Sequence, residues 1–470
     1  MVNFTEIGSL QSKFELQGKE VLTLGKTTVW QRLRKLNNLE KSIIKYQDDI
    51  CEALKKDLGK SEAESKISEI FILLSELRHT RRNLSTWMTD KPISSPLFML
   101  GSRSYIRHES KGRALIISPW NYPVLLSFSP LIGAIAAGCP VILKPSEYSA
   151  NASVLIAKIV KEVFDESEAT VVLGGVEAAQ ALLKLPFDHM YFTGSNAVGK
   201  IVMRAAAEHL SSVTLELGGK SPVVVTSSAH IPKASERIVF TKFFNNGQIC
   251  IAPDYILVDK SKKDVFLSSL EKEIGSLFGQ VKTSRDYTRI INKRHFDRLK
   301  DLFERSVDAG AEVIVGGEFI EDDLYISPTI LYVKHEDNPI MEQEIFGPIM
   351  PVFEYSELEH AIQFINRRER SLASYIYTTS KKEESYFLNH TRSGGGSINH
   401  GLVQLANYNL PFGGSSQSGF GKAKGVESFL AFTNQRSLVK NSAYFSIVDL
   451  LGYPFNKAKL KIINLLLRWF

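Results

Sequence analysis

The chain has 470 residues, which exceeds the size at which a single hydrophobic core stops growing, so two or more domains are expected. Its composition is ordinary for a globular protein, and a net charge of +6 without a run of basic residues argues against nucleic-acid binding. Three cysteines indicate a reducing compartment rather than a disulfide framework. The chain shows neither a secretory leader nor an apolar run that could span a bilayer, so we expect a cytoplasmic protein with at most peripheral membrane contact.

The N-terminal stretch predicts two helices. Apolar residues recur at intervals of three, four and seven from Leu33 to Leu58, which predicts a first helix that stops at Gly59. A second helix is predicted from Ser65 to Trp87. It should end before Lys91-Pro92, because the residue before a proline disfavours helical angles. Cys51 lies within the first helix and is interpreted as a core residue.

Beyond residue 104 the pattern changes to short strands that alternate with helices. Residues 105–109 alternate apolar and polar types, as in a strand with one solvent face, whereas 114–118 is a continuous apolar run typical of a strand covered on both faces. Further apolar runs occur at 141–143, 190–192, 222–225, 255–258, 313–315 and 349–352. This alternation predicts an α/β fold with two parallel-sheet domains. The glycine-rich segment 393–397 is predicted to be a flexible joint.

Cys250 is the most informative single residue. It lies in the segment 243–255, where Gly247 and Pro253 interrupt any regular element, whereas a structural cysteine usually packs inside a helix or strand. A thiol in such a turn can face a cleft, and its thiolate would be a strong nucleophile. A structural role is the alternative, since free cysteines are commonly buried.

Seven short motifs support the nucleophilic interpretation. In chain order they are Pro119-Trp120-Asn121-Tyr122-Pro123, Lys144-Pro145-Ser146-Glu147, Phe192-Thr193-Gly194-Ser195, Leu215-Glu216-Leu217-Gly218-Gly219, the Cys250 segment, Glu344-Ile345-Phe346-Gly347-Pro348 and Pro411-Phe412-Gly413-Gly414. With this set the chain resembles the aldehyde dehydrogenase superfamily, and most of all its class 3 group, which includes the fatty aldehyde dehydrogenases. The resemblance runs from the first long helix to about residue 440.

The resemblance implies a division of the chain. Residues 1–98 and 113–215 would form a Rossmann-like NAD(P)-binding domain, and 216–398 the catalytic domain that carries the thiol. Segments 99–112 and 399–440 would form a small oligomerisation arm, and 441–470 a C-terminal tail. The same resemblance implies a homodimer that oxidises aldehydes to carboxylic acids, with medium- or long-chain aliphatic or aromatic aldehydes as the expected substrates.

By this resemblance, three residues perform the chemistry. Cys250 attacks the aldehyde carbon, and the Asn121 side chain together with the Cys250 backbone N–H stabilises the resulting oxyanion. After hydride loss a thioester remains, and Glu216 activates the water that hydrolyses it. The apolar neighbours of Glu216 should raise the pKa of its carboxyl group. From the residues alone, Asn121 is more typical of a plain turn residue, whereas Glu216 is equally typical of an ion pair with Lys220.

A strand-to-helix turn at Gly194, Ser195 and Gly199 predicts a site for the cofactor phosphates. Glycine lets a phosphate approach the backbone, and a helix N-terminus favours anions. The spacing differs from the G-x-G-x-x-G fingerprint, so an ordinary tight turn is the alternative.

The remaining cofactor contacts come from the resemblance. Lys144 and Glu147 would contact the adenosine ribose, and Glu344 and Phe346 the nicotinamide ribose and ring. Glu147 would repel a 2′-phosphate, which favours NAD, with NADP also possible. From the residues alone, the first two are ordinary surface residues after a strand, and Glu342 with Glu344 a solvated acidic pair. No metal is expected.

Three alternatives to this function stay open. The thioester could pass to coenzyme A or phosphate, although Glu216 argues against it. The fold could serve as a non-catalytic scaffold, or Cys250 could belong to a thiol hydrolase, for which no suitably placed histidine is found. The tail, 453–470, mixes basic and apolar residues. It favours docking on its own or a partner subunit over membrane contact.

Overall fold

Helices and strands alternate along most of the chain. The computed structural model describes residues 4–279, 286–444, 446, 449 and 451–469. The helices are α1 (Leu10–Gly25), α2 (Val29–Lys45), α3 (Gln47–Leu58), α4 (Glu62–Ser65), α5 (Ile72–Met88), α6 (Pro123–Ala137), α7 (Ala150–Val163), α8 (Val176–Leu183), α9 (Asn196–Glu208), α10 (Ile231–Phe243), α11 (Lys263–Phe278), α12 (Lys293–Asp308), α13 (Leu358–Asn366), α14 (Lys381–His390), α15 (Val426–Ala431) and α16 (Lys457–Trp469).

The strands are β1 (Lys91–Ile93), β2 (Arg103–Ser110), β3 (Ala114–Ile117), β4 (Val141–Lys144), β5 (Ala169–Val171), β6 (His189–Thr193), β7 (Ser212–Glu216), β8 (Pro222–Val225), β9 (Tyr255–Asp259), β10 (Glu312–Val315), β11 (Phe319–Ile320), β12 (Tyr325–Ile326), β13 (Thr329–Tyr332), β14 (Ile349–Tyr355), β15 (Ala373–Tyr377), β16 (Gly395–Ile398), β17 (Gly419–Phe420) and β18 (Thr433–Lys440).

The N-terminal helices differ in detail from the prediction. The apolar stripe expected to form one helix is shared by α2 and α3, which meet at Tyr46, and its residues are buried as expected. Gly59 ends α3 in a left-handed conformation (φ 66°), which confirms the predicted stop. The second predicted helix is continuous from α4 to α5, but Lys66–Phe71 winds as a π-helix, a feature that apolar periodicity does not reveal.

The first large sheet positions the candidate cofactor residues Lys144, Glu147, Gly194, Ser195 and Gly199. Its strands run in the order β17-β7-β6-β3-β4-β5, and all neighbours are parallel except β17 with β7. The register places Ile117 beside Lys144, and Thr193 beside Glu216. The carboxyl ends of these strands therefore share one edge, where ligands bind in open α/β sheets.

The second large sheet has the order β10-β13-β14-β9-β8-β15-β16, with β10 the antiparallel edge. The prediction of a flexible joint at 393–397 is wrong, because β16 pairs in parallel with β15 along this segment. Gly396 is needed for the close approach of the two strands, because a Cβ atom there would lie 2.2 Å from the carbonyl oxygen of Ser374. Two parallel α/β sheets confirm the predicted fold class.

A small antiparallel sheet, β1-β2-β18, contains the predicted two-faced strand, and β18 pairs with β2 along its whole length. It falls in the segments assigned to the oligomerisation arm, and the domain boundaries stay predictions. Among the residues described, no helix combines the length and apolar character needed to cross a bilayer. No described side chain of α16 is buried, so the expected docking of the tail on its own subunit is wrong. Docking on a partner subunit stays untested.

Candidate active site

A cavity of about 230 Å³ is lined by two of the three candidate catalytic residues. Cys250 and Glu216 both line it. The remaining walls are mostly apolar side chains from the helical segment 67–72, from α6, from α10 and the turn after it, and from the segment 400–406. Such walls suit an aldehyde with a hydrocarbon body and keep water from the reacting atoms.

The Cys250 turn is shaped by residues in an unusual backbone conformation. Asn245 (φ 49°), Asn246 (φ 56°) and Gly247 (φ 71°) are all left-handed. Glycine is needed at 247, because a Cβ atom there would lie 2.3 Å from the carbonyl oxygen of Gly347. This coil brings the half-buried thiol of Cys250 to the cavity. Burial, then the nearby carboxyls of Glu344 and Glu216, raises the pKa of the thiol to about 12.

Asn121 is tied directly to this turn. It follows β3, is buried, and its Nδ2 donates to the carbonyl oxygen of Gln248 at 2.9 Å. An amide nitrogen carries two hydrogens, so a second donor remains for a substrate oxygen. Lys60 also holds the loop that carries Asn121, because its Nζ donates to the carbonyl oxygen of Asn121 at 3.3 Å. Asn121 is therefore more than a turn residue.

Glu216 ends β7 in an apolar setting. Within the described residues, neither of its carboxylate oxygens has a hydrogen-bond partner. Burial raises the pKa of this carboxyl to about 8, partly opposed by the positive charges of Lys422 and Lys424. The alternative interpretation, an ion pair with Lys220, is wrong, because Lys220 pairs with Asp254. A buried carboxylate without a partner is costly, and it indicates a group kept for a water or a substrate.

Two buried ion pairs support the cavity and were missed in the sequence. Lys424 Nζ lies 2.7 Å from Glu76, and Lys60 Nζ lies 2.8 Å from Glu69. Glu69 also accepts the backbone N–H of Val124 at 2.9 Å, which anchors the N-terminus of α6 beside Asn121. One signal could have revealed both glutamates: they share the apolar helical face that carries Leu73 and Leu77.

The first cofactor residues lie at the carboxyl edge of the first sheet. Lys144 Nζ and Glu147 Oε2 are 2.6 Å apart, beside the end of β4. Gly194 follows β6, and Ser195 caps the N-terminus of α9 by accepting the N–H of Val198. Gly199 packs against Leu217, the residue after β7: a Cβ atom at position 199 would lie 2.6 Å from the Leu217 side chain.

Glu344 and Phe346 lie on a segment held by three charged residues. Asp254 accepts the N–H of Ile345 at 2.8 Å, Lys220 donates to the carbonyl of Gln343 at 2.9 Å, and Arg298 donates to that of Ile345 at 2.7 Å. Sequence reasoning identified none of these holding residues. The segment is thereby fixed against the second sheet.

The two glutamates of this segment have different environments. Glu342 forms an exposed pair with Arg305 at 2.9 Å. Glu344 instead packs on Gly218, where a Cβ atom would lie 2.2 Å from its Oε2, and burial raises the pKa of its carboxyl to about 8. Phe346 presents its ring edge to Trp120, with centroids 5.5 Å apart.

These residues fit a nicotinamide dinucleotide. The N-terminus of α9 offers exposed backbone N–H groups for phosphates, while Lys144 with Glu147 offers a donor and an acceptor for ribose hydroxyls. The packing of Glu344 on Gly218 brings a second carboxyl close to the backbone beside Glu216. The predicted cofactor residues thus follow the strand ends toward the cavity.

Comparison with known proteins agrees with this geometry. The family model described as "Aldehyde dehydrogenase family" matches residues 17–438. The chain is 44% identical over 435 residues to "4,4'-diaponeurosporen-aldehyde dehydrogenase" of Staphylococcus aureus, covering 92% of this chain and 94% of that protein. It is 41% identical over 446 residues to "Aldehyde dehydrogenase, dimeric NADP-preferring" of Rattus norvegicus, covering 94% and 97%.

Solved structures give the same result. "Substrate bound state of Staphylococcus Aureus AldH" superposes with a TM-score of 0.94 at 42% identity, covering 97% of this chain and 99% of that one. Proteins of the same fold have been solved with NAD or NADP bound. Relatives named as family 3 members are 39–41% identical, which confirms the resemblance to class 3.

Proposed function

Because the chain belongs to the aldehyde dehydrogenase family, we propose that Cys250 is its nucleophile, Asn121 its oxyanion donor and Glu216 the base that activates the hydrolytic water. The protein oxidises aldehydes to carboxylic acids and uses NAD(P). The observation that carries the residue assignment is the buried, partnerless carboxylate of Glu216 in the same cavity as Cys250.

The first half-reaction forms a covalent bond to the protein. The Cys250 thiol releases its proton to water, and the thiolate attacks the aldehyde carbon to give a thiohemiacetal oxyanion. The Asn121 amide and the Cys250 backbone N–H donate to this oxygen. Asn121 is suited to the task because its bond to Gln248 O fixes the amide before substrate arrives. When bound, NAD(P)⁺ supplies the acceptor for the hydride that leaves the thiohemiacetal carbon.

The second half-reaction hydrolyses the thioester. A water attacks the acyl carbon while Glu216 takes one of its protons, and the Cys250 sulfur leaves as thiolate. A base works best when its pKa is near the working pH, and burial brings the pKa of Glu216 to about 8. Transfer to coenzyme A would need no such base. Hydrolysis is therefore favoured over the acylating alternative.

Each predicted cofactor residue can be assigned a role in binding. Lys144 and Glu147 would hold the adenosine ribose, and the turn Gly194-Ser195 the phosphates. Gly199 would let α9 pack closely enough to place that turn. Glu344 would bind the nicotinamide ribose, and Phe346 would confine the ring from the side that Trp120 supports. The carboxylate of Glu147 would repel a 2′-phosphate, which favours NAD, with NADP accepted as well.

Three finer proposals concern the substrate, the assembly and the location. The apolar cavity supports medium- or long-chain aliphatic or aromatic aldehydes, and a relative named for a diaponeurosporen aldehyde agrees with an apolar substrate. The rat relative named "dimeric" supports a homodimer. The free cysteines Cys51, Cys139 and Cys250 support a cytoplasmic protein.

The test is NADH or NADPH formation with aldehydes of increasing chain length, with the two cofactors run in parallel. Cys250→Ala should bind cofactor but form no reduced cofactor, whereas Cys51→Ala, which alters a buried thiol outside the cavity, should retain activity. Substantial turnover by Cys250→Ala would refute the nucleophile assignment. Product analysis distinguishes hydrolysis, which yields free acid without coenzyme A, from acyl transfer.

A further inference from the structure

Glu64 is a buried carboxyl group that the proposed mechanism does not use. It lies on the short helix α4, directly before the π-helical segment Lys66–Phe71, and is 9% exposed. Burial raises the pKa of this carboxyl, and the positive charge of Lys60 partly opposes the rise. A buried carboxyl costs free energy unless hydrogen bonds compensate it, so the partners of Glu64 indicate what it is kept for.

Both oxygens of the Glu64 side chain bind groups far along the chain. Oε1 accepts the backbone N–H of Asn245 at 2.8 Å, and Oε2 accepts the hydroxyl of Thr288 at 2.9 Å. These partners are 181 and 224 residues away in sequence, so the contacts form only when the chain folds. A side chain from the N-terminal helices is thereby fastened to the turn that carries Cys250.

Asn245 has a strained backbone that the contact with Glu64 helps to hold. Its φ of 49° lies in the left-handed region, which costs free energy for a residue other than glycine. The next residue, Asn246, is left-handed as well, with a φ of 56°, and its Nδ2 donates to the carbonyl oxygen of Thr288 at 2.6 Å. Glu64 and Thr288 therefore fasten two consecutive left-handed residues.

The side chain of Asn245 extends this order to the proposed oxyanion donor. Its Nδ2 donates to the carbonyl oxygen of Asn121 at 3.1 Å and to that of Gln248 at 3.1 Å. The carbonyl oxygen of Gln248 is also the acceptor for the side-chain amide of Asn121, at 2.9 Å. The Asn245 amide thus ties the backbone of Asn121 to the same carbonyl that the Asn121 side chain binds.

We propose that Glu64 is a positioning residue for the oxyanion donor and acts through Asn245 on the side-chain amide of Asn121. Glu64 fixes the backbone of Asn245, and the Asn245 amide fixes Asn121 relative to Gln248. The proposal rests on the oxyanion role proposed above for Asn121. A displacement of about 1 Å at a reacting group can cost on the order of a hundredfold in rate, so the loss of such a residue is measurable.

The experiment measures the pre-steady-state rate of NADH formation by the full-length enzyme. Glu64→Ala removes both contacts and should lower this rate at least about tenfold, while the Kd for NAD, measured by fluorescence, stays that of the parent. Glu64→Gln keeps an oxygen for the Asn245 N–H, and its amide can donate to the Thr288 hydroxyl, so it should restore most of the rate. Asn245→Gly, which tolerates the left-handed backbone but lacks the amide, should be as slow as Glu64→Ala.

Glu40→Ala is the matched control. Glu40 is also 9% exposed and lies on an N-terminal helix, but it pairs with Arg78 and Arg81 outside the cavity. This variant loses a buried carboxylate of equal exposure and should form NADH at the rate of the parent. A parent-like rate in Glu64→Ala would refute the positioning role.

A double-mutant cycle distinguishes positioning from a general loss of structure. If Glu64 acts through the Asn121 amide, Glu64→Ala should cost less than about twofold once Asn121→Ala has removed that amide. Costs that multiply in the double variant would mean that Glu64 acts independently of Asn121, and the proposal would fall. If Glu64→Ala is too unstable to assay, Asn245→Gly takes its place in the cycle and decides by the same criterion.

Melting temperature and the rate of Cys250 alkylation by iodoacetamide, followed by mass spectrometry, are measured for every variant. Alkylation needs no oxyanion donor, so parent-like alkylation with slow NADH formation supports positioning. A parallel fall in alkylation would indicate disorder of the whole turn and would contradict the proposal. Normal NADH formation by Asn121→Ala would remove the oxyanion role itself, whereas a slow Asn121→Ala beside a normal Glu64→Ala would refute this inference alone.

Discussion

The side-chain amide of Asn121 donates to the carbonyl oxygen of Gln248, two residues before Cys250, at 2.9 Å. One hydrogen bond thus links the loop after a strand of the first sheet to the nucleophile turn, which precedes a strand of the second. The proposed oxyanion donor and the proposed nucleophile are held in fixed relation before any substrate arrives. Such preorganisation is what makes a donor effective in catalysis.

Asn121→Ala should lower kcat roughly a hundredfold or more, the usual cost of losing one oxyanion donor. The pre-steady-state rate of NADH formation measures this directly, because hydride transfer follows oxyanion formation. Asn83→Ala, which removes another side-chain amide bonded to a backbone carbonyl, is the control and should behave like the parent. A loss of only a few-fold would assign the stabilisation to backbone donors.

Glu216→Gln should spare acylation and block hydrolysis, since an amide cannot take a proton from water. NADH formation should show a burst of one equivalent per active site followed by little further turnover, and the acyl-enzyme should be detectable by mass spectrometry. Adding coenzyme A distinguishes the alternative reaction: release of acyl-coenzyme A at a steady rate would favour the acylating type. If the burst itself disappears, Glu216 acts before the thioester forms.

Hydrolysis should accelerate as the pH rises through the pKa of Glu216. In the proposed mechanism the deprotonated form of this carboxyl is the active one, and burial raises its pKa to about 8. Below that pH the hydrolysis rate should rise by up to about tenfold per pH unit, and it should level off above it. The measurement is single-turnover decay of the acyl-enzyme from acidic to alkaline buffer. A rate independent of pH below 8 would contradict the assignment.

The same group makes stability depend on pH. Burial raises the pKa of Glu216 to about 8 in the folded protein, whereas in the unfolded chain the carboxyl has its ordinary pKa of 4.5. The stabilisation that protonated Glu216 gives the folded protein is therefore fully present below about pH 4.5, and it is lost as the pH rises toward 8. The free energy of unfolding of Glu216→Gln should exceed that of the parent by on the order of a few kcal/mol at pH 8 and by little near pH 5. Denaturant unfolding at both pH values measures the difference.

Glu147→Gln should improve the use of NADP relative to NAD, because it removes a negative charge that would face the 2′-phosphate. The quantity is the ratio of kcat/KM for the two cofactors at fixed aldehyde. Glu342→Gln, which alters an exposed carboxylate paired with Arg305, is the matched control and should leave the ratio unchanged. An unchanged ratio in Glu147→Gln would place that residue away from the ribose.

Apolar runs were enough to predict the sheets, and the resemblance carried by the short motifs pointed to Glu216 and Cys250, which both line the cavity. Runs such as 114–118 are easy to identify as buried strands because a strand covered on both faces admits few polar residues. The motif around Cys250 was readable because glycine and proline at fixed spacing restrict the backbone.

What the sequence did not reveal depends on partners far apart in the chain. Lys424 and Glu76 each resemble a solvated charge, and only their meeting in the fold makes them a buried pair. The glycines near 396 indicate flexibility by composition, but Gly396 is required by the close approach of β15. The tail was expected to dock on its own or a partner subunit because amphipathic helices usually face protein, and the lack of buried side chains among the described residues of α16 contradicts only docking on its own subunit.

A methyl group at position 218 would lie 2.2 Å from a carboxylate oxygen of Glu344, so this site tolerates no side chain while Glu344 keeps its place. Lys144 and Glu147, by contrast, lie at the edge of the first sheet, away from that contact. An engineer who wishes to change coenzyme preference should therefore randomise 144–147 and hold 218 and 344 constant. Libraries built this way would vary the residues proposed to bind the adenosine end of the cofactor and keep those proposed to bind its nicotinamide end.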